Sequence, residues 1–170
     1  MDLKQKIREI MDFPKKGINF KDITTLLKDG QAFRASIKSM AELIKDRKPD
    51  LIVGPEARGF IVGAPLAYEL GIGFVPARKS GKLPYKTIHA KYQLEYGNDV
   101  LEMHIDAINP GQKVIIVDDL LATGGTIFST IELVKQLKGD ILALAFLIEL
   151  TYLNGREHLK EYDIYSVIRY

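Results

Sequence analysis

The chain has 170 residues, 46% of them hydrophobic and 27% charged, a formal net charge of +2 and no cysteine. One domain of that size buries about 70% of its unfolded surface without staples, and the lack of cysteine rules out disulfides and thiolate metal sites. No apolar run approaches the ~20 residues of a membrane span, "MDLKQKIREIM" has no apolar core of signal length, and +2 is too small to argue for nucleic acid, so a cytoplasmic protein is expected.

No repeat, low-complexity tract or linker divides the chain, so residues 1–170 are read as a single domain. Leu3, Ile7, Ile10 and Met11 recur at helical spacing and predict a short opening helix. "FPKKGINFKDITTLL" (13–27) shows no lasting periodicity and reads as an ordered loop. Asp29-Gly30 then introduces a helix with Phe33, Ile37, Met40, Ala41 and Ile44 on one face. "DLIVG" (50–54) reads as a strand leading into a helix over about 59–70, and "GFVPA" (73–77) as the next strand. "IHAKYQLEY" (88–96) and "VLEMHID" (100–106) both alternate, and Gly97-Asn98 between them predicts a hairpin. "KVIIVDD" (113–119) reads as a buried strand, followed by a helix near 125–138 and by strands at 140–150 and 162–168. Apolar strands alternating with amphipathic helices predict an α/β fold: a mainly parallel sheet flanked by helices, with an antiparallel hairpin attached.

The most informative string is "VIIVDDLLATGGT" (114–126), where two aspartates stand at the end of an apolar strand, just before a glycine turn. In open α/β sheets ligands collect beyond the carboxyl ends of the strands, and Asp118 and Asp119 fall there. The turn Ala122-Thr123-Gly124-Gly125-Thr126 offers converging N–H groups, two hydroxyls and a helix N-terminus, which suit one phosphate. A Walker loop would need a lysine that is absent between Ala122 and Thr126, and no G-x-G-x-x-G follows the strand. Ionised carboxylates only accept hydrogen bonds, so the acids match vicinal hydroxyls better than polyphosphate. A phosphate on the turn with a diol on the acids describes a ribose 5-phosphate. Either aspartate alone would be as well explained by helix capping; the whole string is not.

The string resembles the phosphoribosyl pyrophosphate (PRPP) motif of the type I phosphoribosyltransferases, in the DLLATGGT form of their adenine-specific members. "FPKKGINFKDITTLL", "ARGF", "RKSGKLPYKT", "LEYG" and "ELTYLNGRE" occur in that family's order, so the resemblance covers nearly the whole chain. It implies the family's fold, with a small N-terminal hood over about 12–28 and a lid over about 78–87. It further implies transfer of the 5-phosphoribosyl group from PRPP to adenine, giving AMP and pyrophosphate. Mg²⁺ would be held mainly by PRPP and water, with no direct protein ligand, and the enzyme would be a homodimer. A phosphoribosyltransferase for another base, or a PRPP-sensing regulator on the same fold, are the alternatives.

The other strings acquire roles through the same resemblance. "VGPEARGFIVG" (53–63) is a strand-end loop with one guanidinium, whose planar fork suits pyrophosphate. The family's pyrophosphate loop often holds a cis peptide, which here would join Glu56 to Ala57; Arg58 follows. The family form "DSRGF" has become "EARGF", so a serine hydroxyl contact is lost. "RKSGKLPYK" (78–86) carries Arg78, Lys79, Lys82 and Lys86, either a solvated loop or a lid closing on an anionic substrate. Glu95 in "LEYG" is an exposed strand glutamate or, by resemblance, an acid/base near the reaction centre. Ile18, Asn19, Phe20 and Lys21 would form the hood over the base, with lysine where the family commonly has arginine, and Leu150 would pack on it. The three histidines show no metal-like spacing.

Overall fold

The computed structural model describes residues 1–94 and 97–170, the strand residues among 92–99 by their backbone only. A 3₁₀ turn at Lys4–Lys6 leads into β1 (Arg8–Met11), which pairs antiparallel with β2 (Asn19–Asp22). The predicted opening helix is therefore a turn and a strand. Leu3 and Ile7 are buried, but Ile10 is 36% and Met11 67% exposed, so the four apolar residues never shared a buried stripe. The segment read as a loop over 13–27 likewise contains β2 and a helical turn, α1 (Thr24–Leu27).

Helix α2 (Gly30–Ile44) starts where expected, with the Asp29 carboxylate accepting from the N–H groups of Gln31 and Ala32, both at 3.1 Å. It buries Ile37, Met40, Ala41 and Ile44. Then follow β3 (Leu51–Pro55), α3 (Arg58–Leu70), β4 (Gly73–Lys79), β5 (Thr87–Leu94) and β6 (Gly97–His104). The chain continues with β7 (Lys113–Leu121), α4 (Gly125–Gln136), β8 (Asp140–Glu149), a 3₁₀ turn at Thr151–Leu153, α5 (Gly155–His158) and β9 (Ile164–Arg169).

Seven strands form one sheet in the order β5-β6-β4-β3-β7-β8-β9. The run from β4 to β9 is parallel, and the β5–β6 hairpin joins it antiparallel at the β4 edge. Strand residues alternate between two cores. Ile52, Ile115, Val117, Ala145 and Leu147 pack with α2 and α3, while Val53, Ile116, Leu144 and Phe146 pack with α4. Burial on both faces explains why these strands read as continuous apolar runs. From β3 the chain crosses to β4 on one side; from β7 it crosses to β8 on the other. The loops after β3 and β7 thus diverge and leave a crevice at the carboxyl ends, the usual ligand position in such sheets.

Candidate active site

Asp118 and Asp119 end the core of β7 at this crevice. Asp119 is 2% exposed, and the Asp118 carboxylate accepts the Asp119 N–H at 2.9 Å. Arg58, from the first turn of α3, brings its Nε to 3.2 Å from Asp119 Oδ2. The ion pair is not aligned for a hydrogen bond, so Asp119 Oδ2 is buried without a hydrogen-bond partner. Burial, and then the neighbouring Asp119 charge, push the Asp118 carboxyl well above the ordinary carboxylate range. Burial raises Asp119 too, against the pull of Arg58. Two acids held this way, one with an open acceptor, suit a ligand that brings its own O–H donors.

The turn predicted to take phosphate begins α4. Gly124 has φ 94°, and Gly125 is the first helical residue. Ala122, Thr123, Gly124, Gly125 and Thr126 line a cleft of about 200 Å³ together with Arg58 and both aspartates. An adjoining cleft of about 520 Å³ is lined by Glu56, Ala57, Arg58, Lys79, Asp118, Asp119 and Thr126. The Glu56–Ala57 peptide is cis. The Glu56 carboxylate accepts the Lys79 N–H at 2.6 Å and lies 3.4 Å from Arg78 Nε, which ties the loop after β3 to the end of β4. Arg78 also donates to the Lys82 carbonyl at 3.3 Å, while the Lys82 side chain is exposed.

The hood reaches this crevice through Phe20, whose ring lies 5.6 Å from the Arg58 guanidinium and packs edge-on against Phe13. Ile18 and Asn19 are half-buried beside it. Asn19 Nδ2 donates to Glu9 at 2.7 Å, leaving its Oδ1 buried and unpartnered. Lys21 is buried, paired with Glu9 at 2.9 Å and stacked 3.8 Å over the Tyr170 ring, so its ammonium serves as an internal strut. Leu150 is 8% exposed and belongs to the α2/α3 core. Glu95 lies outside the described residues.

One part of the site had escaped sequence reasoning. Buried Glu149 takes a two-pronged bond from Arg156 at 2.8 and 2.7 Å and a hydroxyl bond from Ser166 at 2.6 Å. These contacts, with Arg156 foremost, hold its carboxyl below the usual range. They seat α5 directly behind the Ala122–Gly124 turn. Both residues lie in the string "ELTYLNGRE", but their spacing assigns neither a role, and only the fold brings them together. Among the described residues no group of three His, Cys, Asp or Glu side chains could hold a metal ion, and no helix is long and apolar enough to cross a membrane.

A family model, phosphoribosyl transferase domain, matches residues 22–169. The adenine phosphoribosyltransferase of Caldicellulosiruptor saccharolyticus is 61% identical over 170 residues, covering 100% of this chain and 97% of its own. That of Thermotoga neapolitana is 62% identical with both chains fully covered. The crystal structure of adenine phosphoribosyltransferase from Thermoanaerobacter pseudethanolicus superposes with a TM-score of 0.96 at 58% identity, covering 99% of this chain and 98% of that one. That from Saccharomyces cerevisiae, complexed with an imino-altritol bisphosphate and adenine, gives 0.92 at 40% identity, with 98% and 96% covered. A match over nearly the whole domain, with relatives this similar end to end, means that the chain belongs to the phosphoribosyltransferase family, among its adenine phosphoribosyltransferases.

Proposed function

We propose that the chain transfers the 5-phosphoribosyl group of PRPP to N9 of adenine, giving AMP and pyrophosphate. The observation that carries this reading is the adjacent aspartate pair, Asp118 half-buried and Asp119 buried with an open acceptor, beside a glycine turn at a helix N-terminus. The ribose hydroxyls donate to Asp118 and Asp119, and the 5′-phosphate takes the N–H groups of residues 122–126. Pyrophosphate occupies the larger cleft, met by Arg58 and the loop at Glu56–Ala57, with Arg78, Lys79 and Lys82 closing over it. The bond from C1′ to pyrophosphate breaks with its electron pair leaving on oxygen, and the N9 lone pair closes on C1′ from the opposite face. The aspartates add negative potential beside the cationic carbon. Glu95 accepts the N9 proton in this reading, and Ile18, Asn19, Phe20 and the Lys21 backbone enclose the base, with the small exposed part of Leu150 completing the wall.

With two adjacent carboxylates on its wall, the crevice fits a Mg²⁺ that would keep PRPP oxygens and water as ligands. Bound there, next to Asp118 and Asp119, it would neutralise the leaving group. A cytoplasmic homodimer completes the reading, and lid cations reaching a neighbouring subunit would give the dimer a role. Adenine is favoured as the base because the yeast relative was crystallised with adenine, and that protein shares 40% of its sequence with this chain. The test is chromatographic: protein, Mg²⁺ and PRPP with adenine, hypoxanthine, guanine, xanthine, orotate or uracil in turn. AMP from adenine and little product elsewhere is expected. Turnover of a different base would displace the assignment of the hood, and no turnover of any would displace the reaction.

A further inference from the structure

The direction of the phosphate-facing N–H groups has to be imposed on a glycine-containing turn that has no side-chain cap. The segment behind it does this. The Ala122 carbonyl oxygen lies so close to Gly155 that a Cβ there would overlap it, and would also come 3.0 Å from Leu121 Cδ1. The Thr123 carbonyl faces His158 Nδ1 at 3.4 Å, and Leu159 Cδ1 would lie 3.3 Å from a Cβ on Gly124. Both peptides are trans, since the cis bonds lie elsewhere. In a trans peptide C=O and N–H point in opposite directions. Carbonyls 122 and 123 turned toward α5 therefore turn the N–H groups of Thr123 and Gly124 away from it, toward the cleft that these residues line.

Resting on the phosphoribosyl reading above, we propose that Arg156 is a positioning residue for 5′-phosphate recognition, acting through Gly155 on the Ala122–Gly124 backbone. Arg156 is suited to this because its fork is fully committed. It grips Glu149 at the end of β8 with Nε and Nη2, and its Nη1 donates to the Ile164 carbonyl at 3.0 Å, at the start of β9. The Leu150 N–H donates to the Leu121 carbonyl at 2.9 Å, so the same corner is bonded to the strand that leads into the turn. Arg156 touches no ligand; it fixes the backplate against which the turn rests.

Calorimetric titration with ribose 5-phosphate and separately with pyrophosphate tests this, on the unaltered protein and on Gly155→Ala, Arg156→Leu and Arg156→Lys. Misdirecting one N–H that bonds a charged phosphate costs roughly ten- to hundredfold in affinity for ribose 5-phosphate, with pyrophosphate affinity unchanged. Arg156→Lys, which keeps the charge but loses the fork, is expected to fall between the other variants and the unaltered protein, and it carries the test should Arg156→Leu not fold. Equal losses for both ligands, or none for either, overturn the inference. Failure of the unaltered protein to bind ribose 5-phosphate would instead overturn the phosphate assignment of the turn itself.

Discussion

Asp119 Oδ2 is a buried acceptor that takes no hydrogen bond, paired only electrostatically with Arg58, and its neighbour Asp118 is held well above its ordinary pKa by burial and by Asp119. In the free protein this arrangement is destabilising. Folded-state pKa values above the unfolded ones mean that the folded form binds more protons, so stability falls as pH rises from the ordinary carboxylate range through the raised values. Asp118→Asn removes the carboxyl whose ionisation burial and Asp119 oppose. It is expected to raise the melting temperature of the ligand-free protein near neutral pH, each kcal/mol of relieved repulsion adding about 2–4 °C. On the proposed reading turnover falls on the order of 10²–10³-fold, since Asp118 there adds negative potential beside the cationic carbon. Calorimetry and the AMP assay on the same preparation check both halves; a less stable variant or near-normal turnover would contradict the account. The acids were readable in the sequence because strand, pair and turn are contiguous. Their electrostatics were not, since Arg58 is about sixty residues away and reaches them only through the sheet.

Among the elements, the hood departs furthest from its sequence signals. Strand β1 has four exposed residues and no alternation, so its identity comes from pairing with β2 rather than from its own pattern. The pairing is fastened by Asp22, which accepts from Thr24 N–H at 2.9 Å, from the Thr24 hydroxyl at 2.9 Å and from Arg8 Nη2 at 2.5 Å. The Thr24 N–H, then Arg8, hold the Asp22 carboxyl down to about 2. A depressed folded pKa contributes stability above the ordinary carboxylate value, and that contribution is lost as pH falls through about 2. Asp22→Ala imposes the loss at neutral pH, removing the acceptor that ties Arg8 of β1 to Thr24. The expected result is a raised KM for adenine with a smaller change for PRPP, read from initial rates with each substrate varied. Equal changes would place the clasp outside base binding. Helix α2, by contrast, was legible in its cap and most of its buried face, which are local in sequence, although Phe33 is only partly buried and Ala32 and Ser36 join that face.

At the scale of the whole molecule, the α/β class and the parallel sheet were legible from apolar runs alternating with helices, and the crevice from the position of the Asp pair. The buttress of Glu149, Arg156 and Gly155 was not, since it depends on where β8 and β9 meet. A ligand bound across this crevice engages only the folded chain, so PRPP with Mg²⁺ at about 100 times its Kd should stabilise the protein by about 2.7 kcal/mol. A thermal-shift series is expected to show this rise for the unaltered protein and to lose most of it in Asp119→Asn. A full shift in that variant would detach the ribose hydroxyls from Asp119.

The parallel pairing of β3 with β7 matches Leu51 with Val114 and Val53 with Ile116. Arg58 and Asp119, the two walls of the crevice, are therefore brought together by pairing that is distant along the chain. During synthesis at 5–20 residues per second, roughly 3–12 s separate the appearance of the two. Pairing so remote also carries the slow kinetics of high contact order. Recovery of PRPP binding after dilution from denaturant should consequently lag the return of helical signal, making substrate capture a timer for the final closure of the sheet.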